Sequence, residues 1–257
     1  AEARAGHPRP ARPAGPNTEA AMSDAGYTLT PIARIRSEFK EKFGIPRQSG
    51  LVEALRARVV FEPAFRRPEA LRGLEAYSHL WLIWQFSQVV AEGQDGANWR
   101  PTVRPPRLGG NRRMGVFATR SPYRPNALGL SCVRLLGVEP DGPEGPVLTV
   151  GGADLLDGTP IYDIKPYLPQ VDAHPGAAAG FSGPAAAHAL ALRDPGHCLD
   201  ALDPQTREAL CGVLENDPRP GYQQDPGRVY GLSFAGWAVR FRVEGDTLTL
   251  LSVRWEG

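Results

Sequence analysis

Two aspartates three residues apart, Asp154 and Asp157, flank the turn signal Asp157-Gly158, and a few residues on Asp163 and Lys165 sit two apart in an extended run. Residues two apart on a strand project to the same face, so the second pair shares one side of its element. Carboxylates accept hydrogen bonds from hydroxyl groups, and a lysine neutralises a carboxylate or a phosphate. The alternative is an ion pair that only stabilises a strand end. A third cluster precedes these two: Arg120, Arg124 and Asn126 crowd beside Ser121 and Tyr123 within Gly115-Val-Phe-Ala-Thr-Arg-Ser-Pro-Tyr-Arg-Pro-Asn-Ala-Leu-Gly-Leu-Ser131. Pro122 and Pro125 remove two backbone donors there, so any strand through Val116 and Phe117 must break into a loop before Leu128 to Leu135 resumes an apolar run. A rigid polar loop between strands is a common mount for a site, although a plain surface turn is also polar.

Other stretches offer ligand contacts. Gly44 to Gly50, with Pro46, Arg47 and Gln48, reads as a turn with exposed polar groups, or as a simple connector. Ser78 to Gln88 is the most apolar strand, buried on both faces by its composition, and it ends on the polar Ser87 and Gln88 where a strand can open toward solvent. Trp81 and Trp84 fall on opposite faces of it; such aromatics are usually core, and one of them could instead line a pocket. His79 reads as a satisfied core or edge histidine. Arg100, Arg104, Arg107, Arg112 and Arg113 gather in one irregular stretch around Pro105-Pro106 and Gly109-Gly110. That basic patch is either a solvated loop or a surface for RNA phosphates.

The elements that must carry these groups are mostly strands. Tyr27 to Phe39, Ala57 to Phe65, Leu130 to Val138 and Pro146 to Val150 read as strands, with a short helix at Pro68 to Tyr77. Gly176 to Gly183 is a small-residue linker. Beyond it, Pro184 to Leu192 and Thr206 to Glu215 read as helices, and Val229 to Val243 with Asp246 to Val253 as a strand pair. Helices followed by strands suit a compact α+β module.

The chain has 257 residues and a formal net charge of +1, which suggests neither a basic coat nor an acidic tail, so any RNA contact must be local. Its only lysines are Lys40, Lys42 and Lys165, which makes Lys165 stand out. Cys132, Cys198 and Cys211 are odd in number without Cys-x-x-Cys spacing, arguing against a disulfide framework or a thiolate zinc site and for a reducing, cytoplasmic home. No metal is expected, and no membrane partner either, since no apolar run approaches the roughly 20 residues a bilayer needs. Residues 1 to 21, rich in Ala, Pro and Arg, read as a disordered extension, with Met22 a candidate start.

Met114 to Asn126, Asp154-Leu-Leu-Asp-Gly-Thr-Pro160 and Asp163-Ile-Lys-Pro-Tyr167 closely resemble the signatures of the TrmO family (YaeB or VirR), tRNA N6-threonylcarbamoyladenosine methyltransferases. Pro46-Arg-Gln48, Ser78-His-Leu-Trp81, Asp217-Pro-Arg-Pro220 and Val239-Arg-Phe-Arg-Val243 fit as well, so the resemblance runs from Tyr27 to the end. Ala127 departs from it, standing where the family usually has proline. The resemblance implies a mainly β, overall α+β chain: a β-barrel domain over residues 22–172 that binds S-adenosylmethionine (SAM), a linker over 173–183, and a smaller α+β domain over 184–257 that contacts tRNA. No Gly-x-Gly-x-x-Gly opens a helix after a strand, so a Rossmann cofactor site has no support.

By the same resemblance the cofactor would meet Pro46, Arg47, Gln48, Ser87, Gln88, Arg120, Leu130, Asp154, Leu155, Leu156 and Asp157. Arg120 would suit the methionine carboxylate and an aspartate the ribose hydroxyls. Asn126, Asp163 and Lys165 would be catalytic, while Arg112, Arg113, Arg124 and Tyr167 would bind the anticodon arm of tRNA carrying threonylcarbamoyladenosine. Arg219, Tyr222, Arg240 and Arg242 are further candidates for that arm. Homologues of this kind form homodimers whose sites draw on both protomers. The contrasting classes are a SAM-responsive RNA-binding protein without catalysis and a regulator that senses an adenosyl ligand.

Overall fold

A computed structural model describes residues 28–91, 99–105, 112–182, 189–219, 223 and 225–256. The extension at 1–21, Met22, Arg107, Gly109-Gly110, Pro220, Tyr222 and the start of the expected helix at Pro184 lie outside the described residues.

The strands in chain order are β1 (Ala33–Arg36), β2 (Arg56–Phe61), β3 (His79–Gln85), β4 (Thr102–Val103), β5 (Met114–Gly115), β6 (Leu128–Glu139), β7 (Val147–Gly151), β8 (Pro160–Pro166), β9 (Ala191–Arg193), β10 (Val229–Phe234), β11 (Trp237–Glu244) and β12 (Thr247–Trp255). The helices are α1 (Ser87–Ala91), α2 (Pro169–Asp172) and α3 (Pro204–Glu215). Six strands close an antiparallel barrel in the order β1-β2-β7-β6-β3-β8. Alternation decides which side chains fill it. Leu80, Leu82 and Trp84 point inward from β3, meeting Ile35, Val59, Val133, Leu148, Val150 and Ile161 from the other walls. A barrel this small is packed solid by its own side chains, so a ligand site has to form at its rim.

The second unit is a four-stranded sheet, β10-β11-β12-β9, with β9 parallel to β12. Its inner face packs on α3, whose Asp203 caps the first turn by accepting from the N–H groups of Gln205 and Thr206 at 3.0 and 3.1 Å. Phe39, Val52 and Leu55, which lie between β1 and β2 in sequence, join this second core rather than the barrel's. The segment from Phe39 to Leu55 is therefore held by the carboxy-terminal unit. Gln205 Nε2 donates to the Ala54 carbonyl at 2.7 Å, and the Ala235 N–H to the Glu38 carbonyl at 3.2 Å.

Several sequence expectations change. Val116 and Phe117 are a 3-10 turn after β5, not strand, and Phe117 is exposed. Its ring lies 5.7 Å from that of Trp99, centroid to centroid. Ser87 and Gln88 open α1 instead of ending β3: Phe86 makes the last rung to β6, its N–H donating to the Ala127 carbonyl at 2.9 Å, and its own carbonyl then accepts from the N–H groups of Val89 and Val90 at 3.1 and 3.2 Å. Pro68 to Tyr77 is two 3-10 turns separated by the left-handed Gly73. Leu192 lies in β9, a strand recruited by the edge of β12, where a helix was expected. The run Val229 to Val243 folds back on itself as the β10–β11 hairpin, turning at Ala235 and Gly236 with φ of 52° and 81°.

Candidate functional site

The Met114–Asn126 loop is braced from within. Thr119 Oγ1 donates to the Val116 carbonyl at 2.8 Å and accepts the Ser121 N–H at 3.2 Å; Ser121 Oγ accepts the Tyr123 N–H at 3.3 Å. These hydroxyl turns hold a segment that its prolines exclude from a ladder. Arg124 curls back so that Nη1 donates to the Thr119 and Ser121 carbonyls at 3.2 and 3.4 Å. Asn126 is exposed and its amide has no hydrogen-bond partner among the described residues.

The loop forms one wall of a cavity of about 840 Å³ at the barrel rim, where β3 ends and β6 begins. That volume suits a nucleotide-sized ligand. From the loop come Arg120, Tyr123, Arg124 and Asn126; from the Phe39–Leu55 segment, Lys42, Pro46, Arg47 and Gln48; from the start of α1, Ser87 and Gln88; from the barrel rim, Leu130, Asp154 and Leu156. Arg120 Nη1 donates to Gln48 Oε1, tying two of these walls together. Arg47 Nη2 donates to the Arg219 carbonyl at 3.2 Å, so a carboxy-terminal residue also supports the cavity.

Asp154 is the carboxylate within this cavity. Burial pushes its carboxyl above the usual carboxylate range; hydrogen bonds from Ser131 and from backbone N–H groups, together with the charge of Arg120, pull it back only in part. Ser131, 1% exposed, donates to Asp154 Oδ1 at 2.6 Å and accepts Trp84 Nε1–H at 3.0 Å. Trp84, Phe86, Leu128 and Thr159 also line the cavity. Of these, the sequence offered only Trp84, as one of two tryptophans that could line a pocket; Phe86, Leu128, Thr159 and Ser131 did not emerge as site residues. Their signals were an apolar strand and a serine closing the loop motif, which only the strand register makes informative.

The remaining expected residues lie outside the cavity lining. Leu155 is buried in the barrel core. Asp157 is occupied structurally, accepting from Lys40 Nζ at 2.6 Å and from the Ser37 N–H at 3.0 Å. Asp163 and Lys165 pair at 3.0 Å on the outer face of β8. Leu130, Ile83 and Asp163 form one cross-strand row there, and Cys132, Trp81 and Lys165 the next. Asp163 is thus two strand steps, roughly 10 Å, from the cavity's Leu130. Tyr167 packs against Trp81 with ring centroids 5.8 Å apart. Arg113 Nη1 donates to Thr102 Oγ1 at 2.9 Å beside the small β4–β5 ribbon, and Arg112 is exposed next to it. Ala127 is buried, and its carbonyl anchors Phe86 as a proline's carbonyl equally could.

An apolar wall, a fixed guanidinium and a sheltered carboxylate form a donor and acceptor set that fits SAM: acid group to Arg120, hydroxyl or amine donors to Asp154. Among the described residues no three His, Cys, Asp or Glu side chains gather as a cation site. No helix among them is long and apolar enough to cross a membrane.

Fold and site together define a β-barrel protein with a rim cavity for a small polar ligand, distinct in architecture from doubly wound nucleotide binders. Residues 34–173 match the family model of the tRNA-methyltransferase O N-terminal domain, and residues 188–256 that of the TrmO C-terminal domain. The chain belongs to the TrmO family. It is 41% identical over 227 residues to the Escherichia coli K12 protein named tRNA (adenine(37)-N6)-methyltransferase, covering 85% of this chain and 94% of that one. A protein of the same name from Eikenella corrodens is 51% identical over 170 residues, 66% of this chain and 92% of the relative. The crystal structure of TrmO from Pseudomonas aeruginosa matches with a TM-score of 0.69 at 35% identity, covering 89% of this chain and 99% of that one.

Proposed function

We propose that this protein transfers the methyl group of SAM to N6 of threonylcarbamoyladenosine at position 37 of tRNA, the base 3′ of the anticodon. Family membership supplies the coarser statement: it is a SAM-dependent tRNA (adenine-N6)-methyltransferase. The finer reading is supported by one observation above all. Arg120, held by Gln48, and the sheltered Asp154 share a single cavity with the exposed amide of Asn126.

When bound, SAM supplies an electrophilic methyl group. Arg120 would take the carboxylate of its methionine part, and Asp154 would accept from its hydroxyls. Trp84, Phe86, Leu128 and Leu130 give the apolar wall that excludes water. N6 of the modified base is a poor nucleophile, because its lone pair is shared with the purine and the carbamoyl group; the same delocalisation makes its proton more acidic. Catalysis then rests on alignment and on accepting that proton. Asn126 reads the adenine edge, Arg124 or Lys165 holds the threonyl carboxylate, and Asp163 is the proposed proton acceptor.

Asp163, Lys165 and Tyr167 lie along the outer barrel face, which also exposes Leu130 and continues to Val171, both more than half exposed. That placement supports a homodimer in which a second copy completes each site. The division into a barrel domain over 22–172, a linker over 173–183 and a tRNA-contacting domain over 184–257 belongs to the same proposal. So does a cytoplasmic setting.

Labelled SAM mixed with purified protein and with tRNA that carries or lacks the threonylcarbamoyl group tests the reading. Transfer only to the modified tRNA is expected. Cofactor binding without transfer to either tRNA would instead make the protein a sensor. If Asn126→Ala and Lys165→Ala each left single-turnover transfer intact, the arrangement around the base would be wrong.

A further inference from the structure

Trp84, Ser131 and Asp154 form a chain of two hydrogen bonds that runs from the barrel interior to the cavity. An indole N–H can only donate. With Trp84 Nε1 at 3.0 Å, Ser131 Oγ must accept from it, and the serine's own proton is then directed to Asp154 Oδ1 at 2.6 Å. The orientation of a serine hydroxyl is ordinarily free to adapt; here it has one arrangement that satisfies both neighbours. The indole itself is fixed by Gly129, its cross-strand neighbour on β6, where an added Cβ would lie 2.3 Å from the Trp84 ring. Glycine at 129 lets the ring lie against the strand, and the ring's N–H reaches the residue two positions further along.

We propose that Ser131, with its proton direction set by Trp84, is a positioning residue that keeps Asp154 an ionised acceptor, so that the cavity selects a ligand presenting hydroxyl or amine donors. This rests on the reading of the cavity as the adenosyl site. A carboxylate offers about four lone-pair directions, and Ser131 occupies one of those on Oδ1. A ligand donor completes the set, whereas a protonated Asp154 would turn one oxygen into a donor and oppose the same ligand. Burial drives Asp154 toward that protonated form, against which the Ser131 hydroxyl, the backbone N–H groups of Ser49 and Asp154 and the charge of Arg120 all act. The other charged groups lining the cavity are Lys42, Arg47 and Arg124, all cationic.

Two measurements separate this inference from the reading beneath it. The titration of the Asp154 carboxyl, followed by carbon NMR in the ligand-free protein, needs no cofactor. Ser131→Ala is expected to move it to higher pH, and Ser131→Cys, a weaker donor, to an intermediate value. SAM titrations of the same proteins should show binding weakened roughly tenfold or more in Ser131→Ala, with the loss on acidification beginning at higher pH than in wild type. An unmoved Asp154 titration in a folded Ser131→Ala protein overturns the proposal; if that variant does not fold, Ser131→Cys decides in the same way. Wild-type protein that fails to bind SAM overturns the adenosyl reading, while the carboxyl titration still decides the role of Ser131.

Discussion

Asp217 sits in left-handed backbone, φ 49°, and holds Arg219 through two bonds, Nε to Oδ1 at 2.8 Å and Nη2 to Oδ2 at 2.9 Å. Burial raises its carboxyl, but the bonds from Arg219 and the charges of Arg219 and Arg47 outweigh this and leave it below the usual carboxylate range. A carboxyl lowered in the folded state adds stability above its unfolded value of about 3.9 and loses that stability as pH falls through the folded one. Asp217→Asn should therefore cost about 1.5–3 kcal/mol in urea unfolding at neutral pH, with the gap to wild type closing in strong acid. Asparagine tolerates the left-handed backbone, so the change isolates the charge. Single side chains were legible in the sequence where they stood in dense polar motifs: Arg120, Arg124, Asn126 and Asp154 do share one cavity. Ser131 was not, and Trp84 was only one of two tryptophans that could line a pocket, because a serine and a tryptophan on separate strands acquire a joint role only through the barrel register.

At the level of elements, the register of β3 against β6 carries the site. Trp84 opposes Gly129, and the glycine gives the indole its place. Gly129→Ala would push a methyl group into a rigid ring, at a cost of about 1–3 kcal/mol, read as a lower midpoint of urea unfolding; an unchanged midpoint would mean the ring can move aside. Apolar runs made β3, β6 and β7 legible, although β3 is fully buried on its inner face only, and the run from Thr206 to Glu215 made most of α3 so. The β10–β11 turn was missed because Ala235-Gly236 lacks the Asn or Asp that usually marks such a hairpin. β9 was missed because it is three residues long and exists by pairing with β12. The Asp163 and Lys165 pair was read correctly as sharing a face, but sequence could not say that this face is the outside of a closed barrel.

For the whole molecule, a near-neutral chain that acts on RNA must concentrate its positive charge. The outer face of the carboxy-terminal sheet does so: Arg242 of β11 lies in one row with Thr249 and Arg193, Arg240 stands in the next row of that face, and Arg254 in the row after that. All four arginines are exposed and have no carboxylate partner among the described residues. Replacing them together by alanine should weaken tRNA binding and flatten its dependence of log affinity on log salt by about 3; an unchanged slope would remove this face from the RNA contact. The same unit shares its core with Phe39, Val52 and Leu55 and supports Arg47 through Arg219, so the arginine face and the rim cavity rest on one packed body.

The most direct test of the whole account is a crystal structure with SAM bound. It should show the methionine carboxylate on Arg120 and a hydroxyl or amine of the adenosyl part on Asp154, inside the rim cavity and beside Asn126. SAM seated elsewhere, with Arg120 and Asp154 untouched, would contradict the account.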